Sequence, residues 1–400
     1  MQYDLVFEGG GAKGMVLVGA YEVFVELGHT HGRLLGTSAG AITAALIAAG
    51  YTPQEMLAAL SEQENGRSVF SGFLGAPAPF DEATLRVGAL RTFFSGLDFK
   101  FIPNIIEDRL KDQVVQALAQ NSRTRNLVAF VERGGWYAAD RFVTWLQNKL
   151  DSGVRNGQPR RFSAMTLQQF FDATGVELSL IAADTTGARL LVLNHETAPQ
   201  CPLVWAVRMS MSIPLLWDEV VWREEWGTYQ GRPMAGHTIV DGGLLSNFAI
   251  ELFISDQPQV TAIMGPKRAD PVLGLLIDDN LEVPAPRGLL VDVTIRPEEL
   301  RTVQRIRSLI DTVTSAHDKM VIEAFEHLVV RLPAAGYGTT EFDMSEPRRN
   351  ALVDAGRVAM RDYLDRPPVA AAVPRGEEDV AAQQAQQRAD HIASNLLALP

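Results

Sequence analysis

Residues 33–50 read RLLGTSAGAITAALIAAG, and the fold turns on how they are read. Leu34 and Leu35 form a very short strand, and an Ala-rich helix behind it closes at Gly50. Between them Gly36-Thr37-Ser38-Ala39-Gly40 makes a sharp turn. Glycines on either side of Ser38 let the backbone bend where a side chain would clash. Ser38 then stands at a helix N-terminus, where unpaired N–H groups and the helix dipole favour negative charge. Strand, G-x-S-x-G and helix in succession is the context of a nucleophile elbow.

The chain N-terminal to this stretch repeats the pattern. Tyr3 to Phe7 is a short apolar run suited to a buried parallel strand. Gly9, Gly10 and Gly11 follow, with Gly14 three residues on, and a helix runs from Met15 to a closing Gly28. Strand, loop and helix twice within the first fifty residues predict an α/β fold with a mainly parallel central sheet. Thr52 and Pro53 are the expected cap and first turn of a third helix.

Gly9-x-Gly11-x-x-Gly14 also fits a dinucleotide-binding loop. That site needs a carboxylate roughly twenty residues further on, at the end of the second strand. The second strand ends in Gly-Thr-Ser instead. A P-loop is excluded because Met15 and Val16, not Lys and Ser/Thr, follow Gly14. The same glycine N–H groups can hold the oxyanion of an acyl-transfer intermediate. A nucleotide-binding protein stays the alternative from a different class.

Further along, residues 66–170 are irregular and read as a largely helical insertion over the core. The sheet resumes at VELSLIAADTT and ARLLVLNHE, then at Thr238 to Val240, and again at PVLGLLI and HLVVRLP. A long amphipathic helix is expected over 297–325, with Arg301, Arg305 and Arg307 near its start. One domain spans 1–365; 366–400 is expected to be a flexible Ala/Gln-rich tail with a C-terminal helix.

Composition narrows the function. The 400 residues are 46% hydrophobic and 21% charged, a globular mix. A net charge of −12 argues against a nucleic-acid binder and against broad attraction to anionic membranes. Cys201 is the only cysteine, which excludes an intrachain disulfide and a Cys-based zinc site. No apolar run is long enough for a transmembrane helix, and the first one is too short for a signal peptide. The expected compartment is the cytoplasm, with peripheral membrane contact or signal-less export open.

A serine nucleophile needs a base. The seven histidines, among them His29, His31, His195, His237, His317 and His327, have no distinctive setting. Asp241 ends a short strand and is followed by Gly242 and Gly243, which permit a tight turn. By itself Asp-Gly-Gly also suits an ordinary turn, as does Asp184 in AADTTG.

EGGGAKG, GTSAG and VDGG, in that order, resemble the patatin-like phospholipases. AVRMSMSIPLLWDEV and the closing YGTTEFDMS are similar to stretches of that family. Glu8 stands where many members have Asp, and Lys13 where many have Arg. The resemblance implies a three-layer α/β/α sandwich and a Ser-Asp dyad without cofactor or metal: Ser38 as nucleophile, Asp241 as proton acceptor. Gly9, Gly10, Gly11, Gly14 and Ala39 would form the oxyanion hole, with Gly36 and Gly40 shaping the elbow. It implies a phospholipase A or lysophospholipase, with esterase or acyltransferase action on neutral lipids or small esters as the alternative. The expected partners are a phospholipid or lysophospholipid, a membrane surface met transiently, and an activating partner of unknown kind. Lys13 is a candidate for a head-group phosphate. Phe93, Phe94, Phe99, Phe101, Trp205, Trp217, Trp222 and Trp226 are candidates for a lid or anchor, or for plain core.

Overall fold

The computed structural model describes residues 1–77, 80–81, 85, 88–95, 104–121, 124–284, 322, 324–366 and 377–397. Eight strands form the main sheet: β1 (Gln2–Phe7), β2 (Thr30–Thr37), β3 (Leu178–Asp184), β4 (Arg189–Leu193), β5 (Val220–Val221), β6 (Thr238–Asp241), β7 (Val272–Glu282) and β8 (Val329–Ala335). Their order is β5-β6-β3-β2-β1-β7-β8, with β4 also on β3. β3-β2-β1-β7-β8 is parallel throughout, while β4, β5 and β6 run antiparallel to their neighbours. β2 begins at Thr30, so the short strand expected around Leu34 is eight residues long.

Alternation across the pleat sorts the apolar side chains into two cores. Leu5, Phe7, Leu34, Leu180, Ala182 and Leu275 face one way, into the larger core. Val6, Leu35, Ile181 and Leu276 face the other. Both faces are covered, which is why these strands read as continuous apolar runs. The result is a three-layer α/β/α sandwich.

Over the larger core lie α1 (Met15–Glu26), α2 (Ala39–Ala48), α3 (Pro53–Leu60), α4 (Asp140–Asp151), α5 (Leu203–Ser210) and α6 (Glu346–Leu364). Thr52 and Glu55 close a reciprocal capping box that starts α3. On the second face, Phe248 to Ile254 and Val260 to Met264 meet α7 (Glu377–Leu397), whose Ala389, Ile392, Ala393 and Leu396 are buried. Within 66–170, Phe70, Phe73, Phe142 and Trp145 join the larger core, whereas Leu85, Val115, Ala119 and Val128 form a small cluster of their own. Trp217, Trp222 and Trp226 are buried core, with Trp205 packed at its margin. The side chains of Phe93 and Phe94, residues Phe99 and Phe101, and residues 297–321 with Arg301, Arg305 and Arg307 lie outside the described residues.

α1 and α6 touch backbone to backbone. A Cβ on Gly356 would lie 2.1 Å from the Val16 carbonyl oxygen. Alanine would gain about 1 kcal/mol of helix propensity over glycine. Forcing two backbones apart costs roughly 1–3 kcal/mol, so the clash should win. Gly356→Ala is therefore expected to lower the denaturation midpoint; an unchanged or raised midpoint would show that the helices separate freely.

Candidate active site

β3 offers one edge to β4, from Leu180 to Asp184. Its other edge is divided. Leu178 to Ile181 pair with β2, ending at Thr37 opposite Ile181. Ala182 to Asp184 pair with β6, which arrives from the opposite direction and ends with Asp241 opposite Ala182. The two strands therefore meet end to end, and the register alone brings Ser38 and Asp241 to the same point.

β2 cannot continue past Thr37, because β6 occupies the rest of that edge. The chain turns off at Ser38, which takes φ +53° and ψ −118° and caps α2. A non-glycine residue in such a conformation costs on the order of 1–3 kcal/mol and persists only if its surroundings enforce it. Several contacts do so. The Ser38 N–H donates to Ser210 Oγ at 3.1 Å, and that hydroxyl donates to the Ile181 carbonyl at 2.6 Å. Gly36 and Gly40 face each other across the turn, and a Cβ on Gly40 would lie 2.2 Å from the Phe7 carbonyl oxygen. Ser38 is 5% exposed and Asp241 4%.

Asp241 Oδ1 accepts from the Gly243 N–H at 2.8 Å, and the Asp241 N–H donates to the Ser212 carbonyl at 2.9 Å. Buried Oδ2 has no hydrogen-bond partner among the described residues. Burial pushes the carboxyl up to about 7; the Ser38 hydroxyl and the Gly243 N–H pull it down by less. The hydroxyl is near enough to act on the carboxyl but does not reach hydrogen-bond geometry in this conformation.

The Gly-rich loop leaves β1 beside the elbow. A Cβ on Gly9 would come 2.9 Å from Ser38 Cβ, and one on Gly14 would come 2.5 Å from Ala39 Cβ. The Gly9 N–H donates to the Asn247 carbonyl at 3.3 Å, and that of Ala12 to the Thr339 carbonyl at 2.8 Å. Among the described hydrogen bonds none uses the N–H of Gly10, Gly11 or Ala39. Gly11 takes φ +55° and passes against Thr339.

Three supports were not legible in the sequence. Ser210 ties the elbow to β3. Asn247 donates to the Gly9 carbonyl at 2.9 Å and to Glu8 Oε1 at 3.2 Å, and Glu8 Oε2 accepts from the Ile277 N–H. Arg208, fully buried, donates to the Asp218 carbonyl at 2.7 Å and to Ser212 Oγ, steadying the segment that holds Asp241. Their residue types are common and their partners distant in sequence, so spacing carries no signal.

Other candidates lie elsewhere. Lys13 is buried and ion-paired to Asp279 at 2.6 Å. Asp184 accepts from the Gly187 N–H at 2.9 Å and from Arg189 Nε at 3.0 Å, and meets His237 at 2.9 Å, which is a turn's role. Below Ser38 runs a cavity of about 80 Å³ whose lining includes Gly11, Met15, Ile42, Leu46 and Met56 and, among the described residues, no histidine.

A buried, strained serine and a buried carboxyl group thus converge beside the glycine loop. The model of the patatin-like phospholipase family matches residues 5–254, and the chain belongs to that family. Lipid ester hydrolysis is the activity this membership supports. The chain is 29% identical over 371 residues to the uncharacterized protein YqhO of Bacillus subtilis, covering 89% of this chain and 96% of that one. It is 20% identical over 250 residues to the probable lipid hydrolase 463L of Invertebrate iridescent virus 6, 62% of either chain. The crystal structure of VipD from Legionella pneumophila is similar at 17% identity and a TM-score of 0.45, covering 98% of this chain and 74% of that one.

Two stability predictions follow from this packing. Asp241 holds its proton to about 7 when folded against 3.8 ordinarily, so ionising it opposes folding. Removing that charge with Asp241→Asn should stabilise the protein, with no charge benefit below pH 3.8, a growing one up to about 7 and a constant one above. Its ceiling is on the order of 4 kcal/mol, and denaturant titrations at several pH values would read it. Ser210→Ala leaves the Ser38 N–H and the Ile181 carbonyl without their partner and should cost about 1–3 kcal/mol, visible as a lower midpoint at every pH.

Proposed function

We propose that the protein is a lipid acyl hydrolase of the phospholipase A or lysophospholipase type, working through Ser38 and Asp241. The observation that carries this reading is the end-to-end meeting of β2 and β6 on one edge of β3. It sets a strained serine beside a buried carboxylate at the mouth of an apolar cavity.

Ser38 Oγ attacks the ester carbonyl carbon while its proton passes to Asp241. The resulting oxyanion is held by the N–H groups of Gly10, Gly11 and Ala39. Collapse breaks the bond to the leaving alcohol, which takes the proton from Asp241. Water then attacks the acyl-enzyme while Asp241 takes its proton, and Asp241 passes that proton to Ser38 Oγ as the bond to the acyl group breaks, releasing the fatty acid with Ser38 restored. An ordinary carboxylate is a weak base for this step. A carboxyl at about 7 is matched to neutral pH, and desolvation is the cause of that match. The substrate is a phospholipid or lysophospholipid reached at a membrane surface. Action on neutral lipids or small esters, and transfer of the acyl group to another alcohol, would use the same residues.

Fluorophosphonate should add one adduct mass to the wild type and none to Ser38→Ala, and fatty-acid release from phosphatidylcholine vesicles should vanish with it. Adduct formation on the alanine variant would sink the assignment of Ser38. With Asp241 as the base, kcat/KM should fall about tenfold per pH unit on the acid side of pH 7. A profile flat down to pH 5 would remove Asp241 from that role.

A further inference from the structure

Both backbone groups of Gly9 are gripped by one residue. The Gly9 N–H donates to the Asn247 carbonyl at 3.3 Å, and the Asn247 side-chain amide donates to the Gly9 carbonyl at 2.9 Å. The same amide nitrogen donates to Glu8 Oε1 at 3.2 Å. Both of these partners accept only, so the two N–H bonds of the carboxamide are committed and its orientation is fixed. Oδ1 then sits between two glycines: a Cβ on Gly9 would lie 2.2 Å from it, and one on Gly243 3.0 Å. Asn247 is thus wedged between the loop that leaves β1 and the turn whose Gly243 N–H holds Asp241. Its place is set from behind. Ser246 and Phe248, on either side of it, are fully buried. The Phe248 ring lies on the bare backbone of β7, where a Cβ on Gly274 would come 2.3 Å from Cζ.

A carbonyl and the N–H that follows it belong to one planar unit and point in opposite directions across a trans bond. The Gly9 carbonyl and the Gly10 N–H share such a unit. Neither residue has a side chain to limit its rotation, so something else must set the plane. Asn247 draws the carbonyl toward itself, which aims the Gly10 N–H away from it. Among the described hydrogen bonds none uses that N–H. We propose that Asn247 is a positioning residue for acyl transfer, holding the Gly9–Gly10 peptide in the plane in which the Gly10 N–H meets the oxyanion. The inference rests on the acyl-hydrolase reading and adds to it the group that orients the oxyanion hole. Asn247 acts through the loop, so its effect falls where the carbonyl oxygen gains charge and not on substrate binding. Removing an oxyanion donor outright lowers kcat roughly 10²–10³-fold; letting one swing should lower it roughly tenfold to hundredfold.

The test compares the wild type, Asn247→Ala and Asn247→Leu in kcat and KM for p-nitrophenyl butanoate. Each preparation is corrected for active protein by fluorophosphonate titration carried to completion. Leucine fills about the space of asparagine and donates nothing. A further readout is the dissociation constant of a trifluoromethyl ketone. Ser38 Oγ bonds to its carbonyl carbon, the hydroxyl proton passes to Asp241, and the carbonyl oxygen becomes an oxyanion. Both variants should lose kcat at unchanged KM, and the ketone should bind each more weakly by the factor that kcat/KM falls. Unchanged kcat in Asn247→Ala, recovery of kcat in Asn247→Leu, a loss carried by KM, or a ketone bound as tightly as by the wild type would each overturn the proposal while hydrolysis stands. A wild type that cleaves no ester and takes no fluorophosphonate would instead bring down the acyl-hydrolase reading, and this role with it.

Discussion

One edge of one strand organises this protein. β3 gives Leu178 to Ile181 to β2 and the next three residues to β6, and the two strands approach from opposite directions. Neither can extend without displacing the other, so both must turn at the junction. β2 turns into the strained Ser38, and β6 turns at Asp241 into the Gly242-Gly243 corner. The backbone ladder thus fixes the separation of the two side chains more firmly than any direct bond between them. Hydrogen bonds from the Ser38 N–H to Ser210 and from the Asp241 N–H to Ser212 lock the two turns onto that frame.

The same junction sets the electrostatics. A carboxylate at a sheet end would ordinarily meet water and stay near its usual range. Here the strands and α5 close over Asp241, and desolvation becomes the dominant influence on its proton. The fold tolerates a carboxyl group whose ionisation opposes folding and a serine at positive φ side by side. Strain of both kinds, concentrated at one point of an otherwise regular sheet, is how functional sites differ from the scaffold around them. The surroundings compensate through dense packing: two cores fill both faces of the sheet, and α1 and α6 touch through glycine.

Much of this was legible beforehand because local signals agreed. The G-x-S-x-G stretch announced both a parallel α/β unit and an elbow, since glycine spacing, strand and helix all pointed one way. The aromatic residues were harder. Trp217 and Trp222 carry no periodicity to separate core from lid, and burial settled them as core. Lys13 was a candidate for a phosphate contact, and the structure pairs it with Asp279, a partner far away in the chain. Ser210, Asn247 and Arg208 gave no signal, because a support is defined by what it touches and not by its type.

By itself the sequence determined the class of fold and the two glycine turns, one of them around Ser38, while Asp241 was singled out only by the family resemblance. The fold class and the turns follow from short-range physics: backbone freedom at glycine, helix capping and the period of apolar residues. The tertiary structure alone decided that Ser38 and Asp241 meet, that Asp241 holds its proton to about 7, and that an apolar cavity opens beneath them. Each depends on register and burial between segments some two hundred residues apart, and no local pattern encodes how two strands divide the edge of a third.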